Sequence, residues 1–381
     1  PEGWMSPAFG WHLDLDWSGI IYEVNHHIRE DGYSLFGIFM MMVLFKGILV
    51  SAAGPAPNYD MQKILSTRNP REASLMSAFV SVVLMPIRYF MVVGFAVLGL
   101  LYFEELNLLV GGRVDFEQIL PSAIESFIPA GLLGLLLAGL LAAFMSTFAG
   151  TLNAAQAYLI NDVYLKYAKP NASNRNVSHA SYLIGIGIVV VSIGLGLMIE
   201  NVNQILQWIV SALFGSFVAS NVLKWYWWRF NGHGYFWGMV SGLVSALIIP
   251  TLVFPNILEL YLFPIFLLVS IAGCILGTYM YPPTDEDTLM NFYKTVRPWG
   301  FWKPVHLKVV AKYPDFNKNK DFKRDMFNIL VGIIAQTTLV ILPFYIILGQ
   351  YISLAVTMGI LAICGILLKK YWYDNLKNVV D

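Results

Sequence analysis

The apolar stretch 131–167 carries the side chains best suited to chemistry, because small and hydroxyl residues recur along it every three or four positions. In a helix, that spacing places them on one face. The members of this face are Ala143, Ser146, Thr147, Gly150, Asn153, Ala154 and Ala157. Within a membrane, such a face either lets a second helix approach closely or offers oxygen ligands to a small hard cation. The spacing alone leaves both alternatives open.

The composition excludes a water-soluble fold. Hydrophobic residues make up 57% of the 381 residues and charged residues only 13%, with a mean hydropathy of +0.63. Soluble domains carry roughly 25% charged residues. The net charge of zero argues against a nucleic-acid partner. Cys274 and Cys364 both lie in apolar runs, so we expect free thiols and no disulfide.

Catalytic motifs are missing from the sequence. It contains no GxSxG nucleophile elbow, no HExxH zinc motif, no phosphate-binding loop and no CxxC pair. Each of these motifs supplies a nucleophile, a metal or a phosphate cradle. We therefore predict that the protein is not an enzyme.

Hydropathy predicts an all-α, multi-span membrane protein, because a span needs about 20 apolar residues. The nine predicted spans are 34–56, 74–103, 131–160, 179–199, 203–228, 234–254, 258–281, 327–348 and 351–372. The predicted organisation is an outer loop with a surface helix over 1–33, a membrane core over 34–281, a cytoplasmic loop over 282–325, two further spans within 326–373, and a tail over 374–381.

The distribution of basic residues predicts the orientation. If the first span runs from outside to inside, twenty of the 24 lysines and arginines fall in cytoplasmic segments and only Arg29 and Arg113 fall outside. Lysine and arginine are enriched in cytoplasmic loops. We therefore expect an external N-terminus, a cytoplasmic C-terminus, and residence in a plasma or inner membrane with the lipid bilayer as a partner.

Three further features suggest polar functions inside the membrane: a helix interruption and two basic residues. The first span ends in AAGPAP at 52–57, where glycine and proline cannot continue a regular helix; this predicts either a broken helix beside a transport path or a simple helix end. Lys46 and Arg88 lie in the middle of neighbouring spans. Intramembrane cations usually face a cavity or a partner, so the alternatives are snorkelling or a structural pair, or recognition of an anion.

Several segments resemble the sodium:solute symporter family. The run AGLLAAFMSTFAGTLNAAQAYLINDVY is similar to the family's signature helix, and the segment from Asn58 to Lys63 resembles its acid-x-x-Gln-Arg motif, with lysine in place of arginine. The run Trp227-Trp228-Arg229, followed by Gly234 and Gly238, resembles an aromatic and basic helix end. The segment from Phe292 to Gly300 resembles one that precedes the last helices.

This resemblance implies a LeuT-type inverted-repeat fold. The signature helix would be core helix eight, so core helices one to five would be missing from this chain and would act as partners of the same protein. The resemblance places half of a sodium site, a metal site for Na⁺, on the Ala143 carbonyl and the Ser146 and Thr147 hydroxyls. It also implies substrate contacts at Gln207 and around Ser51 to Asn58; Lys46 and Arg88 are further candidates.

The predicted function is secondary active transport, in which sodium entry drives uptake of a small solute by alternating access. The solute is a sugar, an amino acid or an organic anion, and sodium is the co-transported ion. An alternative is a symporter-like membrane sensor of a signalling protein, which a long C-terminal extension would favour. A passive channel is less favoured, because no ring of filter carbonyls or charges appears in the sequence.

Overall fold

The computed structural model describes residues 47–54, 59–103, 105–106, 108–110, 113–197, 215–253 and 259–376. These residues form two compact units. The first unit contains 47–54, 67–123 and 215–376, and the second contains 59–66 and 124–197. The predicted outer loop 1–33, most of the first span, and the first part of the span 203–228 lie outside the described residues.

The fold is almost entirely helical, as predicted. The helices of the first unit are α1 (Val50–Ala52), α3 (Pro70–Leu101), α7 (Gly215–Tyr226), α8 (Gly232–Ile248), α9 (Glu259–Tyr279), α10 (Glu286–Val296), α11 (Lys303–Lys312), α12 (Phe322–Ile347) and α13 (Tyr351–Tyr371). The second unit has α2 (Tyr59–Leu65), α5 (Ala130–Tyr158) and α6 (Asn174–Gly196). The short helix α4 is Ile119–Phe127.

Smaller elements join these helices. A hairpin of two antiparallel strands, β1 (Leu109–Val110) and β2 (Arg113–Val114), lies between α3 and α4. Short 3₁₀ segments cover Phe116–Gln118 and Tyr373–Asn375. Helices α5 and α8 each continue into a π-helical segment, at Leu159–Ala168 and Ile249–Val253.

Six helical segments of the described chain are long and apolar enough to cross a membrane. They are Pro70–Leu101, Ala130–Ala168, Asn174–Gly196, Tyr261–Tyr279, Phe322–Ile347 and Tyr351–Asn375. Each coincides with one of the nine predicted spans to within a few residues at most ends, which confirms a multi-span, all-α membrane protein. The count of nine and the inverted repeat remain predictions.

Side-chain caps define where several helices begin. Asn69 accepts a hydrogen bond from the backbone N–H of Glu72 and is followed by Pro70, so α3 begins with the residues that favour a helix start. Asn231 caps α8 in the same way, through the N–H of Gly234 at 2.9 Å. Its amide also donates to the carbonyl oxygens of Thr278 and Pro282, which ties the start of α8 to the end of α9.

Close packing around α8 forms the centre of the first unit. Gly234, Gly238 and Gly242 recur every four residues on α8, and each lies against α7 or α9 so closely that a Cβ atom would collide with a neighbour. At Gly242 the added atom would lie 2.6 Å from the Cα of Ser216. Small residues at this spacing let membrane helices approach one another.

The segment predicted as the cytoplasmic loop, 282–325, contains two helices. The amphipathic helix α10 packs on α11 through a buried cluster formed by Tyr293, Trp302, Val305 and Val309. Exposed ion pairs cross the same interface, from Lys308 to Glu286 at 2.6 Å and from Lys312 to Asp287 at 3.4 Å. This segment is therefore a folded element. It packs against Trp228, which follows the end of α7.

Candidate functional site

The predicted cation face lies near the middle of the 29-residue helix α5. Ala143, Ser146 and Thr147 are all exposed in the second unit. Among the residues that the structure describes, the Ser146 and Thr147 hydroxyls have no hydrogen-bond partner. By contrast, Thr151, one turn further on, donates its hydroxyl to the Thr147 carbonyl at 2.9 Å. The two predicted ligand hydroxyls are therefore free to rotate.

The far end of the same face has a different role, because it packs on α6. Ala154 is buried, and the Gln156 amide donates to the Ser181 carbonyl at 3.1 Å. Gly185 on α6 provides the space that the Gln156 side chain occupies. The two ends of this face therefore differ. Residues 153–157 pack against a neighbouring helix, whereas residues 143–147 leave small side chains and hydroxyl groups exposed.

The chemistry available at 143–147 is that of neutral oxygen ligands. A hydroxyl oxygen accepts through two lone pairs, and a helical carbonyl keeps a second lone pair after accepting its intrahelical hydrogen bond. Positions i, i+3 and i+4 direct these atoms to one side of the helix. A hard cation takes such ligands without any proton transfer, but it needs more of them than one helix face supplies.

The structure also describes the helix break predicted after the first span. Helix α1 ends at Ala52, and Gly54 adopts a φ of +74°, a conformation that favours glycine. The Trp225 indole nitrogen donates a hydrogen bond to the Ala53 carbonyl at 3.0 Å. The break therefore frees a carbonyl, as the sequence indicated, and a side chain from α7 satisfies it.

Two segments that carried the family resemblance meet at this point. The Trp302 indole nitrogen donates to the Trp225 carbonyl at 2.8 Å, and the Phe301 N–H donates to the Tyr226 carbonyl at 2.7 Å. Gly300 has a φ of +108°, and a Cβ atom there would lie 2.6 Å from the Tyr226 oxygen. Glycine is therefore required where the segment from Phe292 to Gly300 crosses the end of α7.

A cavity of about 300 Å³ lies between the helix break and this crossing. Its lining residues include Ser51, Gly54, Trp225, Arg297, Trp299 and Asn319. Ser51 and Gly54 fall in the range predicted to contact the substrate, whereas Trp225, Arg297, Trp299 and Asn319 were not predicted as site residues. The Trp225 side chain is half-buried and donates its indole hydrogen bond to Ala53.

The remaining predicted substrate residues are spread between described and undescribed parts of the chain. Arg88 is exposed on α3, and within the described residues it forms no ion pair. Lys46, Asn58 and Gln207 lie outside the described residues. Of the candidate substrate residues, the structure therefore describes only Ser51 and Arg88.

Polar residues of α7 are satisfied by protein contacts. Ser216, Ser220 and Asn221 are fully buried. The Asn221 amide nitrogen donates to the Phe217 carbonyl at 2.9 Å, and its oxygen accepts from Lys224 at 2.6 Å. Ser216 and Ser220 lie against α8 and α9, at packed helix interfaces.

Six long apolar helices in the described chain, together with close small-residue packing, define a multi-pass membrane protein. The family model described as "Sodium:solute symporter family" matches residues 27–242, more than half of the chain. The chain belongs to this family, which confirms the resemblance seen in the signature helix.

Several curated proteins are similar to part of the chain. Sodium/glucose cotransporter 1 of Oryctolagus cuniculus is 32% identical over 143 residues, which are 36% of this chain and 22% of that protein. Sodium/myo-inositol cotransporter 2 of Homo sapiens is 27% identical over 140 residues, or 34% and 20% of the two chains. Sodium/mannose cotransporter SLC5A10 of Bos taurus is 30% identical over 132 residues, or 32% and 21%. The chain thus spans about a fifth of these relatives.

Proposed function

We propose that this chain forms part of a transporter that couples sodium entry to the uptake of a small organic solute. Family membership supports the class of transporter. The observation that carries the proposal is the α5 face, where the Ser146 and Thr147 hydroxyls are exposed and have no hydrogen-bond partner in the described chain. The Ala143 carbonyl is the third ligand. Other ligands would come from elsewhere in the intact protein.

Sodium binding would act by changing the balance between conformations. A ligand that binds one state more tightly shifts the population toward that state by its differential affinity. In the proposed cycle, external sodium favours an outward-open form that binds the solute, and both are then released inward. The membrane potential adds about 2.3 kcal/mol per charge per 100 mV. No covalent step is involved, consistent with a non-enzymatic protein.

The proposed solute is a sugar or another polyhydroxylated molecule. The names of the similar proteins, which refer to glucose, myo-inositol and mannose, support this class. Proposed contacts are Gln207, Ser51 and Asn58. An organic anion is the second candidate, because Arg88 is an exposed intramembrane cation with no ion pair among the described residues, and such a cation usually faces a cavity or partner.

The proposed location is a cell membrane, with the C-terminus and the segment 282–325 in the cytoplasm. The distribution of lysine and arginine supports this orientation. In the proposed organisation, 1–33 is external, 34–281 and 326–373 cross the membrane, and 374–381 is a cytoplasmic tail.

Proteoliposomes containing the intact protein would test the proposed coupling. An inward sodium gradient should drive accumulation of labelled sugars, whereas an equal potassium gradient should not. Uptake of a sugar panel and an organic-acid panel in parallel identifies the solute class. Accumulation that is identical with sodium and with potassium would refute sodium coupling.

A further inference from the structure

The lining of the cavity at the helix break includes several hydrogen-bond donors beside apolar residues, and no acidic side chain among the lining residues of the described chain. Its polar side chains are Ser51, Tyr226, Arg297, Trp299 and Asn319, with the Trp225 indole already bonded to Ala53. A guanidinium brings a full positive charge to this wall. The cavity therefore has the charge and donor set of an anion site.

Arg297 is fixed at the cavity by its backbone. It ends α10 with a φ of +49°, an uncommon conformation for a residue other than glycine, and its N–H donates to the Tyr293 carbonyl at 3.0 Å. Its guanidinium carbon lies 5.4 Å from the centre of the Phe316 ring. The Nε atom is buried and has no hydrogen-bond partner in the described chain, and a buried donor without a partner is destabilising.

Trp299 and Asn319 add neutral donors to the same wall. The Trp299 ring packs edge-on against Phe322 at 5.1 Å, and its buried indole nitrogen has no partner within the described residues. The Asn319 side-chain oxygen accepts from the Asp321 N–H at 2.9 Å, which orients the amide. Lys318 and Lys320 flank Asn319 in the sequence and are exposed.

We infer that this cavity binds a phosphate-type oxyanion. Such a group has several acceptor oxygens and no donor when fully ionised, so it complements a wall of donors. Arginine recognises phosphate through two parallel hydrogen bonds. A cation is disfavoured by Arg297. A neutral polyol would leave the charge of the guanidinium uncompensated.

The phosphate group can belong to a soluble ion or to a lipid headgroup, since both present the same oxygens. This inference is separate from the proposed sodium site, because the cavity lies in the first unit and its lining contains none of Ala143, Ser146 and Thr147. Ser51 is also a proposed solute contact, so the test leaves Ser51 unchanged. Loss of sodium-coupled uptake and loss of anion binding are therefore separate results.

Three variants of the intact protein make the test specific. Arg297→Asn removes the guanidinium and retains a residue that tolerates positive φ. Trp299→Phe removes the indole donor and retains the aromatic packing on Phe322. Lys294→Gln is the matched control, because it removes one positive charge from the same helix at an exposed residue outside the cavity lining.

Binding of inorganic phosphate is measured by equilibrium dialysis in maltoside micelles, with ionic strength held constant. In a second measurement, the protein is reconstituted into nanodiscs with and without phosphatidylglycerol, and retained lipid is counted by native mass spectrometry. We expect at least a tenfold loss of one or both ligands in Arg297→Asn, a threefold to tenfold loss in Trp299→Phe, and less than a twofold change in Lys294→Gln.

The two measurements separate the sources of the anion. Loss of phosphate binding supports a soluble oxyanion, and loss of phosphatidylglycerol retention alone supports a lipid headgroup. Failure of the parent protein to bind either ligand overturns the inference. It is also overturned if Arg297→Asn and Trp299→Phe bind as the parent does, or if Lys294→Gln loses as much affinity as they do.

Discussion

The indole nitrogen of Trp225 lies 3.0 Å from the carbonyl oxygen of Ala53 and donates a hydrogen bond to it. Ala53 follows the last residue of α1, where the chain turns through Gly54. The bond joins two parts of the first unit that are far apart in sequence. It also satisfies a carbonyl that the end of a helix would otherwise leave without a partner.

Replacing Trp225 with phenylalanine should therefore destabilise the first unit. An unsatisfied buried acceptor costs about 1–3 kcal/mol, so the apparent melting temperature in detergent should fall. Trp237→Phe is the control, because Trp237 is 42% exposed on α8 and its aromatic contact with Phe236 would be retained. Equal melting temperatures for Trp225→Phe and the control would show that the bond contributes nothing.

Gly242→Ala should destabilise the protein by overpacking. The added methyl group would lie 2.6 Å from the Cα of Ser216, and backbone cannot move aside as a flexible side chain can. Overpacking of this kind costs roughly 1–3 kcal/mol. Gly94→Ala on α3 meets no atom within 4 Å and should be neutral or stabilising by up to about 1 kcal/mol. Thermal unfolding of the two variants would compare them, and a loss in both would contradict the packing explanation.

The alkaline stability of the α10–α11 pair should depend on Tyr293. Burial raises the pKa of the Tyr293 hydroxyl above its ordinary value, because ionisation in a buried site is unfavourable. The fold therefore favours the protonated form. This contribution is complete below the ordinary tyrosine pKa of about 10 and is lost as the pH rises through the raised value.

Tyr293→Phe tests the direction of this pH dependence directly. The variant keeps the ring contact with Trp302 at 5.9 Å and removes the titrating group, so its alkaline unfolding midpoint should move to higher pH. Tyr313→Phe, at a 40% exposed residue of the same segment, is the control. Tryptophan fluorescence during a pH titration gives the midpoints, and an unchanged midpoint in Tyr293→Phe would refute the explanation.

The proposed orientation predicts which residues react from outside the cell. In a background without Cys274 and Cys364, which are both buried, Arg113→Cys should react with a membrane-impermeant maleimide in intact cells. Lys318→Cys should react only after the membrane is made permeable. Labelling of Lys318→Cys in intact cells would place the segment 282–325 outside and contradict the proposed topology.

Hydropathy predicted the long helices well, because membrane spans are set by continuous apolar length and depend little on long-range contacts. The predicted span 351–372 matches helix Tyr351–Tyr371 to within one residue, and the predicted span 327–348 overlaps helix Phe322–Ile347 except at its last residue. The segment 282–325 was predicted only as a loop. Its two helices are short, so their apolar residues become informative only when α10 and α11 pack together.

The cavity at the helix break could be predicted only in part. Glycine and proline at 54–57 indicated the end of the helix, and Ser51, which lines the cavity, was predicted as a substrate contact. Arg297, Trp299 and Asn319 are far away in sequence, and no spacing rule links them to the break. The signal that could have found them was the family resemblance at Trp227 to Arg229 and at Phe292 to Gly300, because these segments meet in the structure.

The sodium site itself is tested most directly by its two hydroxyls. Uptake into proteoliposomes is measured against external sodium for the parent, for Ser146→Ala and for Thr147→Ala. Ser77→Ala is the control, since that hydroxyl bonds to the Ala73 carbonyl of its own helix at 3.1 Å. We predict that each α5 variant needs at least fivefold more sodium for half-maximal uptake, while the control needs the same as the parent. Sodium dependence identical to the parent in both α5 variants would contradict a sodium site on this face.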